Sequence, residues 1–329
     1  MPRLAEKLIE ITPGDYSKRV LFGLGVVHFK NDYHGSTGPS QESSDFGDLN
    51  DGLFPIEAIY IEYDFPDRKS RAEDILERIR DTLKRRRAGA VICEPIQGDA
   101  GIIVPPEGFM KGLRRITEET GTILIFDEVH SGMGRTGRWW SFEHEGIVPD
   151  IMVTAKGLSG GYAPISAIIG REDVLNSLNP GQHIFTYSGH PPSAAAVLSV
   201  INYIETNSLI SNAEEIGNCL IDNLRGIMKD YSDVITDVRG RGLMIGIEIN
   251  VSFDELAGKI FATRCMEKGV YAGFLGVNAD VIRIEPPLTI NRQHADFISS
   301  VVRDTADEMR NGNIPASTVD NVKKYSIGL

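Results

Sequence analysis

Short apolar runs alternate with helical patterns through the first two thirds of the chain. Residues 90–93, 122–126 and 151–153 are continuously apolar or nearly so, as in strands that are buried on both faces. A helical composition covers residues 108–120, and residues 75–83 carry apolar side chains at helical spacing. The alternation of strand and helix predicts an α/β fold with a mainly parallel sheet covered by helices.

The pattern changes after about residue 205. Ser211 and Glu214 have the spacing of a capping box, and apolar residues on one helix face follow them. A strand-like run covers residues 243–249, and a further amphipathic helix lies near the end of the chain. We therefore predict a large domain over residues 1–204 and a smaller C-terminal α+β domain over residues 205–329.

Composition and charge narrow the classes of partner. Forty-six acidic residues against 34 basic ones give a formal net charge of −12, which disfavours binding to nucleic acid. The longest apolar run is far shorter than the roughly 20 residues of a membrane span, so no membrane association is predicted. Charges interrupt the N-terminal residues too often for a signal peptide. Three widely spaced cysteines favour reduced thiols and a cytoplasmic location.

Two candidate chemical groups follow predicted strands. Asp127 and Glu128 emerge at the carboxyl end of an apolar run, where open α/β sheets place ligands, although solvated loop acids would give the same pattern. Lys156 lies at the end of the next run and before several glycines. Because it ends a buried strand, we expect Lys156 to be buried. Burial would lower the pKa of its amine and make the neutral form available for a Schiff base. A strand that simply ends in lysine is the alternative.

A glycine motif and an arginine are less specific. Gly132, Gly134 and Gly137 match the dinucleotide pattern G-x-G-x-x-G, but two acids separate them from the strand and a glycine-rich turn is the simpler interpretation. Alternation places Arg283 opposite two isoleucines, where its guanidinium could clamp a carboxylate or pair with Glu285. The seven histidines show no metal-binding spacing, so no metal is predicted.

Five segments together resemble the class III aminotransferases, pyridoxal-phosphate (PLP) enzymes of transferase fold type I, the aspartate-aminotransferase fold. The segments are residues 94–98 (EPIQG), 127–137 (DEVHSGMGRTG), 156–161 (KGLSGG), 186–191 (TYSGHP) and 283–288 (RIEPPL). They occur in the family's order, and the similarity runs from about residue 4 to about residue 312.

The resemblance implies a role for each matching residue. Lys156 would carry PLP as a Schiff base and move the α-proton, and Asp127 would pair with the pyridine nitrogen. Arg283 would bind the substrate carboxylate, and Asp99 would line the site. At the position of Asp99 the family has a glutamate, which can neutralise the arginine. The remaining cofactor contacts implied are Val129 and Tyr33 on the two ring faces, His130 at the phenolic oxygen, Glu94 lining the site, and Thr186 at the phosphate of the neighbouring subunit's cofactor.

The resemblance implies a PLP-dependent aminotransferase that moves an amino group between a small-molecule donor, an amino acid or an ω-amine, and a 2-oxo acid through a Schiff base on Lys156. It also implies a homodimer with active sites at the subunit interface. One departure concerns the phosphate. Gly25 alone joins Leu24 to Val26, where the family carries a Ser-Gly-Ser loop and a helix, and part of the family's N-terminal region is also missing. We expect an omission in the sequence rather than a true deletion, because deletion would expose apolar surface and remove the phosphate donors.

Three other functions remain open from the sequence. A PLP-dependent amino-acid 2-epimerase or racemase is indicated by residues 98–101 (GDAG) and 34–37 (HGST), which resemble a racemising branch of the family. A nicotinamide-dependent dehydrogenase would rest on the three glycines named above. A shortened, non-catalytic paralogue would bind no PLP at all.

Overall fold

The computed structural model describes residues 26–36, 39–42, 44, 58–61, 72–86, 88–176, 186–276 and 280–326. These residues form two compact units. The first unit contains the described residues up to Gln97, together with Pro105–Met133 and Trp140–Tyr203. The second contains Gly98–Val104, Gly134–Trp139 and the described residues from Ile204 onward.

The first unit is built on a six-stranded sheet. Its strands are β1 (Val26–Phe29), β2 (Ala58–Ile61), β3 (Ala90–Cys93), β4 (Ile123–Asp127), β5 (Ile151–Thr154) and β6 (Ala167–Gly170). Their order is β2-β1-β3-β4-β5-β6, with every pair parallel except β5–β6. The predicted α/β fold with a mainly parallel sheet is confirmed.

Helices accompany this sheet. They are α1 (Pro39–Glu42), α2 (Ala72–Arg86), α3 (Phe109–Thr120), α4 (Glu172–Leu175) and α5 (Pro191–Thr206), with a 3-10 helix at Ser141–Glu145. Phe109 of α3 packs edge-on against Phe29 of β1, with 6.2 Å between ring centroids. Gly112 lets α3 approach α2 closely, since a Cβ there would overlap Leu76. These contacts help to bury the apolar faces of α2 and α3.

Asp150 fixes the start of β5 against β4. Its carboxylate accepts hydrogen bonds from the Leu124 backbone N–H, Arg114 and Arg171, each at 2.9 Å. Burial disfavours the ionised carboxylate, but these three donors outweigh it and hold the pKa of Asp150 below its ordinary value. The charged anchor therefore sets the register of the two strands whose ends carry Asp127 and Lys156.

The second unit contains a four-stranded antiparallel sheet in the order β7-β8-β10-β9. Its elements are α6 (Leu209–Asp230), β7 (Ile235–Arg241), β8 (Met244–Ile249), α7 (Ala257–Glu267), β9 (Gly273–Leu275), β10 (Val281–Ile284), α8 (Arg292–Arg310) and α9 (Ala316–Ser326). One face of the sheet joins the helices in an apolar core. The opposite face carries charge, and Arg239 on it donates to the Gly101 carbonyl at 2.9 Å.

The capping box predicted at Ser211 is wrong. Helix α6 begins at Leu209, and its N-cap residue Ser208 has a left-handed backbone with no side-chain capping bond. Ser211 and Glu214 therefore lie inside the helix, where Glu214 pairs instead with Arg138 at 2.7 Å. Packing of the apolar helix face overrides the local capping signal.

Within the residues that the structure describes, no helix is both long enough and apolar enough to cross a membrane.

Candidate active site

Four parallel strands bring chemically active side chains to one edge of the first sheet. Strands β1, β3, β4 and β5 run in the same direction, so their carboxyl ends lie together. The residues at or just beyond these ends are Asp32–His34, Glu94, Asp127 and Lys156. Open α/β sheets bind ligands at this edge, and the strand topology thus supplies the convergence that the sequence could only suggest.

Asp127 ends β4 and is buried. Its Oδ1 accepts the Val129 backbone N–H at 3.0 Å, and its Oδ2 lies 2.8 Å from His34 Nδ1. Val129, like His130 beside it, is half-buried. The carboxylate is therefore held in one orientation by a local and a long-range contact.

His34 lies between two carboxylates. Its Nε2 is 3.5 Å from Asp32 Oδ2, an ion-pair distance that is longer than a good hydrogen bond. Burial opposes the charged imidazole, but hydrogen bonding and charge from Asp127 and Asp32 outweigh it and raise the pKa of His34 to about 10. The imidazolium therefore lies as a positive charge between the two buried carboxylates.

Asp32 is itself anchored. It is fully buried, and it accepts hydrogen bonds from the Phe29 backbone N–H at 3.2 Å and from Gln97 Nε2 at 2.8 Å. No role was predicted from the sequence for Asp32, His34 or Gln97. The segment Asp-Tyr-His-Gly at residues 32–35, shortly after an apolar run, gave a predicted role only for Tyr33.

Glu128 differs from Asp127 in its surroundings. It is buried, its Oε2 accepts from Ser131 Oγ at 2.6 Å, and its Oε1 accepts the Phe142 backbone N–H at 3.0 Å. Burial raises the pKa of Glu128 to about 7 despite these donors. Glu128 thus joins the strand end to the Ser141–Glu145 helix.

Glu94 and Tyr33 are joined directly. Glu94 is buried at the end of β3, and its Oε1 accepts the Tyr33 backbone N–H at 3.0 Å. The Tyr33 hydroxyl lies 2.7 Å from Ser36 Oγ. The contact with Glu94 fixes the path of the chain after β1, and with it the half-buried ring of Tyr33.

Lys156 is exposed, so the prediction of burial is wrong. Strand β5 ends at Thr154, and Lys156 begins a turn that continues to Gly161. Gly160 and Gly161 both have positive φ in this turn. The turn therefore holds Lys156 just beyond the carboxyl end of β5, with its side chain exposed.

Thr186 lies in a turn that precedes α5 and is exposed. Gly189 in the same turn has a φ of 65°, and His190 Nδ1 lies 2.9 Å from Ser193 Oγ in the first turn of the helix. Gly25 and Leu24, where the phosphate loop was expected, lie outside the described residues.

The three glycines of the dinucleotide-like pattern lie in turns. A Cβ on Gly132 would approach the Glu128 carbonyl oxygen to 2.7 Å, and Gly134 and Gly137 have φ of 86°. The next regular element is the 3-10 helix at Ser141–Glu145, not an α-helix that could face a pyrophosphate. The glycine-rich turn is therefore the correct interpretation, and the arrangement does not fit a nicotinamide site.

Arg283 belongs to the second unit. It is half-buried in β10 while Ile282 and Ile284 are buried, as the alternation predicted. Its Nε lies 3.4 Å from Glu285 Oε2, the ion pair that the sequence had left as an alternative. Asp99 also lies in this unit, and its backbone carbonyl accepts the Gly276 N–H at 3.1 Å.

Comparison with known proteins decides the family. A model of the class III aminotransferases matches residues 4–305. The chain belongs to the class III aminotransferase family. A leucine/methionine racemase from Thermococcus litoralis is 38% identical in an alignment that covers 89% of this chain and 74% of the relative.

Solved structures of class III transaminases have the same fold. Ornithine aminotransferase from Toxoplasma gondii aligns with a TM-score of 0.82 and 27% identity, covering 94% of this chain and 70% of that one. The PLP-bound amine transaminase from an uncultivated Pseudomonas species also gives 0.82, with 26% identity and coverage of 94% and 73%. The predicted fold class and the resemblance to class III enzymes are confirmed.

The cofactor of this class III family is PLP, as predicted. The described residues fit the ring of this cofactor. Asp127 offers a buried carboxylate, oriented by His34 and the Val129 N–H, which is the group that suits a protonated ring nitrogen. Lys156 offers an accessible amine at the same sheet edge.

Proposed function

We propose that the protein is a PLP-dependent amino-acid racemase or epimerase that acts at the α-carbon. The similarity to the leucine/methionine racemase carries the proposal, because its 38% identity exceeds the 22–28% of the transaminase structures. The anchored Asp127 and the accessible Lys156 supply the two groups that such chemistry needs. The substrates would be amino acids with neutral side chains.

Each site residue has a proposed task. Lys156 would attach the cofactor through Nζ, and afterwards remove and return the proton at the substrate α-carbon. Asp127, oriented by its contact with His34, would bind the ring nitrogen, with Val129 and Tyr33 against the ring and His130 and Glu94 beside it. Bound PLP would take up the electron pair that the departing α-proton leaves behind. Arg283 would hold the substrate carboxylate, and Asp99 would lie near it.

Transamination is the second candidate. The neighbours with solved structures are transaminases, and the same Lys156 and Asp127 would serve an enzyme that moves an amino group from an amino acid or ω-amine to a 2-oxo acid. The two reactions differ in stoichiometry. Racemisation returns the proton to the same substrate, whereas transamination consumes one molecule of acceptor for every donor.

Chiral chromatography of L-leucine or L-methionine, incubated with the PLP-loaded protein in ²H₂O, tests the proposal. We expect the D-enantiomer to form with deuterium at the α-carbon, in the absence of any 2-oxo acid. The Lys156→Ala variant is the control and should form neither the D-enantiomer nor a keto acid. Turnover that requires a 2-oxo acid and yields a new keto acid would show that the reaction is transamination and not racemisation.

We also propose a homodimer, with Thr186 near the partner's cofactor. Large apolar side chains are exposed on the first unit at the turn after Lys156, at β6 and along α5, namely Tyr162 (86%), Ile169 (51%), Leu198 (68%) and Tyr203 (54%). Single exposed apolar residues are normal, but several on neighbouring segments are typical of an interface. A second copy of the chain is the partner that a class III enzyme would have.

We also propose a cytoplasmic location. All three cysteines are free, which supports this proposal.

A further inference from the structure

Arg283 lies in a strand environment made for a large side chain. Its cross-strand neighbours are glycines on both sides, Gly246 in β8 and Gly273 in β9. A Cβ on Gly273 would lie 3.4 Å from both Nε and Nη2 of Arg283. The guanidinium therefore lies against the backbone of β9, in space that any other residue at position 273 would begin to fill.

Glu285 determines which edge of this guanidinium remains available. It follows Arg283 by two residues, so both side chains leave the chain on the same side. Glu285 Oε2 lies 3.4 Å from Arg283 Nε, and the glutamate side chain is only 14% exposed. The contact is made on the Nε side, which leaves the two terminal nitrogens to meet a carboxylate in the two-point geometry that arginine favours.

The segment that carries Glu285 is itself fixed. Arg135 is half-buried, and its Nη1 donates to the Pro286 carbonyl at 2.5 Å and to the Leu243 carbonyl at 3.2 Å. Glu285 also provides negative charge beside this second arginine. The backbone next to Glu285 is therefore fixed, which limits how far the glutamate can move when a ligand binds.

We propose that Glu285 is a positioning residue for Arg283 and determines specificity by excluding substrates with a second carboxylate. The proposal rests on the carboxylate-binding role that we assign to Arg283 above. One carboxylate on the ligand meets an oriented guanidinium, whereas a second one nearby meets the charge of Glu285 in a partly buried setting. We assign this negative charge to Glu285 and not to Asp99, because among the described residues the ion-pair partner of Arg283 is Glu285. The substrates are then amino acids with one carboxylate and no second negative charge.

Calorimetric titration of the PLP-loaded protein with two carboxylic acids tests the proposal without measuring turnover. The probes are 4-methylpentanoate, with one carboxylate, and glutarate, with two. The wild-type protein should bind 4-methylpentanoate more tightly. Glu285→Gln should shift the ratio of affinities toward glutarate by about fivefold, the effect of removing one like charge at this range. Glu285→Asp keeps the charge and should keep most of the wild-type preference.

Glu248→Gln is the matched control. Glu248 lies on the same face of the sheet and pairs with Arg239 at 2.6 Å, so the variant also removes a carboxylate from an arginine pair. It should leave the ratio of affinities unchanged. A ratio that does not move in Glu285→Gln, or a wild-type protein that binds glutarate as tightly as 4-methylpentanoate, overturns the proposal.

Arg283→Gln separates this proposal from the proposed function. If Arg283 binds the substrate carboxylate, both acids should bind at least about tenfold more weakly to the variant, the loss expected for a charge-assisted two-point contact. Unchanged binding of both acids to Arg283→Gln would remove the role of Arg283 itself, whatever Glu285→Gln shows.

Discussion

At the scale of single residues, one imidazole stabilises two acids. His34 contacts Asp127 at 2.8 Å and Asp32 at 3.5 Å, and both carboxylates are buried. Two buried negative charges with no cation between them would be costly, and one of them would take up a proton. The protonated His34 supplies that cation, and its hydrogen bond orients the carboxylate that we propose for the protonated ring nitrogen.

The sequence predicted Asp127 but not the residues that hold it. A carboxylate directly after an apolar strand is a local pattern, which can be found by inspection. The contact between His34 and Asp127 joins positions far apart in the chain, and it exists only because β1 and β4 lie on either side of β3 in one sheet. Local patterning carries no information about such a contact.

Glu128 predicts a pH dependence of stability. Its pKa of about 7 lies above the ordinary 4.5, so the folded state keeps a proton that the unfolded state releases. The stability associated with this proton is fully present below pH 4.5 and is lost as the pH rises to about 7. Glu128→Gln has no such titration, so its stability relative to wild type should rise by about 3 kcal/mol between pH 4.5 and 7.5.

Urea unfolding of both proteins across this pH range measures the difference. Glutamine preserves an acceptor for the Phe142 N–H and a donor that can face Ser131, which makes the charge the main change. A stability difference that stays constant with pH would show that Glu128 titrates near its ordinary value.

At the scale of elements, strand ends were easier to predict than the turns that follow them. The sequence placed Lys156 after β5, and the structure agrees. It did not place the side chain, because the turn over residues 156–161 depends on the positive φ of Gly160 and Gly161 and on packing nearby. Arg283 was placed opposite Ile282 and Ile284 correctly, because side chains alternate between the two faces of a strand.

Helix α6 provides a test of packing with its own control. Gly217 lies where a Cβ would overlap the backbone of Gly242, whereas Gly226, nine residues further along the same helix, has open space around it. Gly217→Ala should lower the free energy of unfolding by about 2–3 kcal/mol, because backbone cannot move aside as a side chain can. Gly226→Ala should raise it by about 0.5–1 kcal/mol through helix propensity.

Denaturant unfolding of the two variants, under identical conditions, checks the prediction. Equal effects from both substitutions would mean that α6 and the turn at Gly242 are not packed as closely as the structure has them.

At the scale of the whole molecule, assembly follows from the exposed apolar surface. Leu198 on α5 is 68% exposed, and Tyr271 in the second unit is 88% exposed. We expect a solution mass of twice the 36.2 kDa chain, and a shift toward the monomer in Leu198→Glu. A charge buried at an interface costs several kcal/mol, enough to separate the subunits at micromolar concentration.

Light scattering after size-exclusion chromatography gives this mass. Tyr271→Glu adds the same charge at an exposed aromatic outside the proposed interface and should leave the dimer intact. A wild-type monomer, or an unchanged dimer in Leu198→Glu, would contradict the placement of the interface on α5.

The family and the fold could be recognised from sequence because five motifs occur in order over most of the chain. The reaction could not be, since the family model matches a chain whose relatives include both a racemase and transaminases. The sequence likewise left the ion pair with Glu285 as one of two alternatives for Arg283, and only the structure places the two side chains 3.4 Å apart.

Both proposed reactions require Lys156 to carry the cofactor. Borohydride treatment of the PLP-loaded protein, followed by peptide mass spectrometry, shows which lysine is attached, with Lys156→Ala and the helix-surface variant Lys229→Ala treated in parallel. We predict a stable pyridoxyl label on the peptide that contains Lys156 in the wild type and in Lys229→Ala, and no label in Lys156→Ala. A label on another lysine, or equal labelling of the Lys156→Ala variant, would contradict the account.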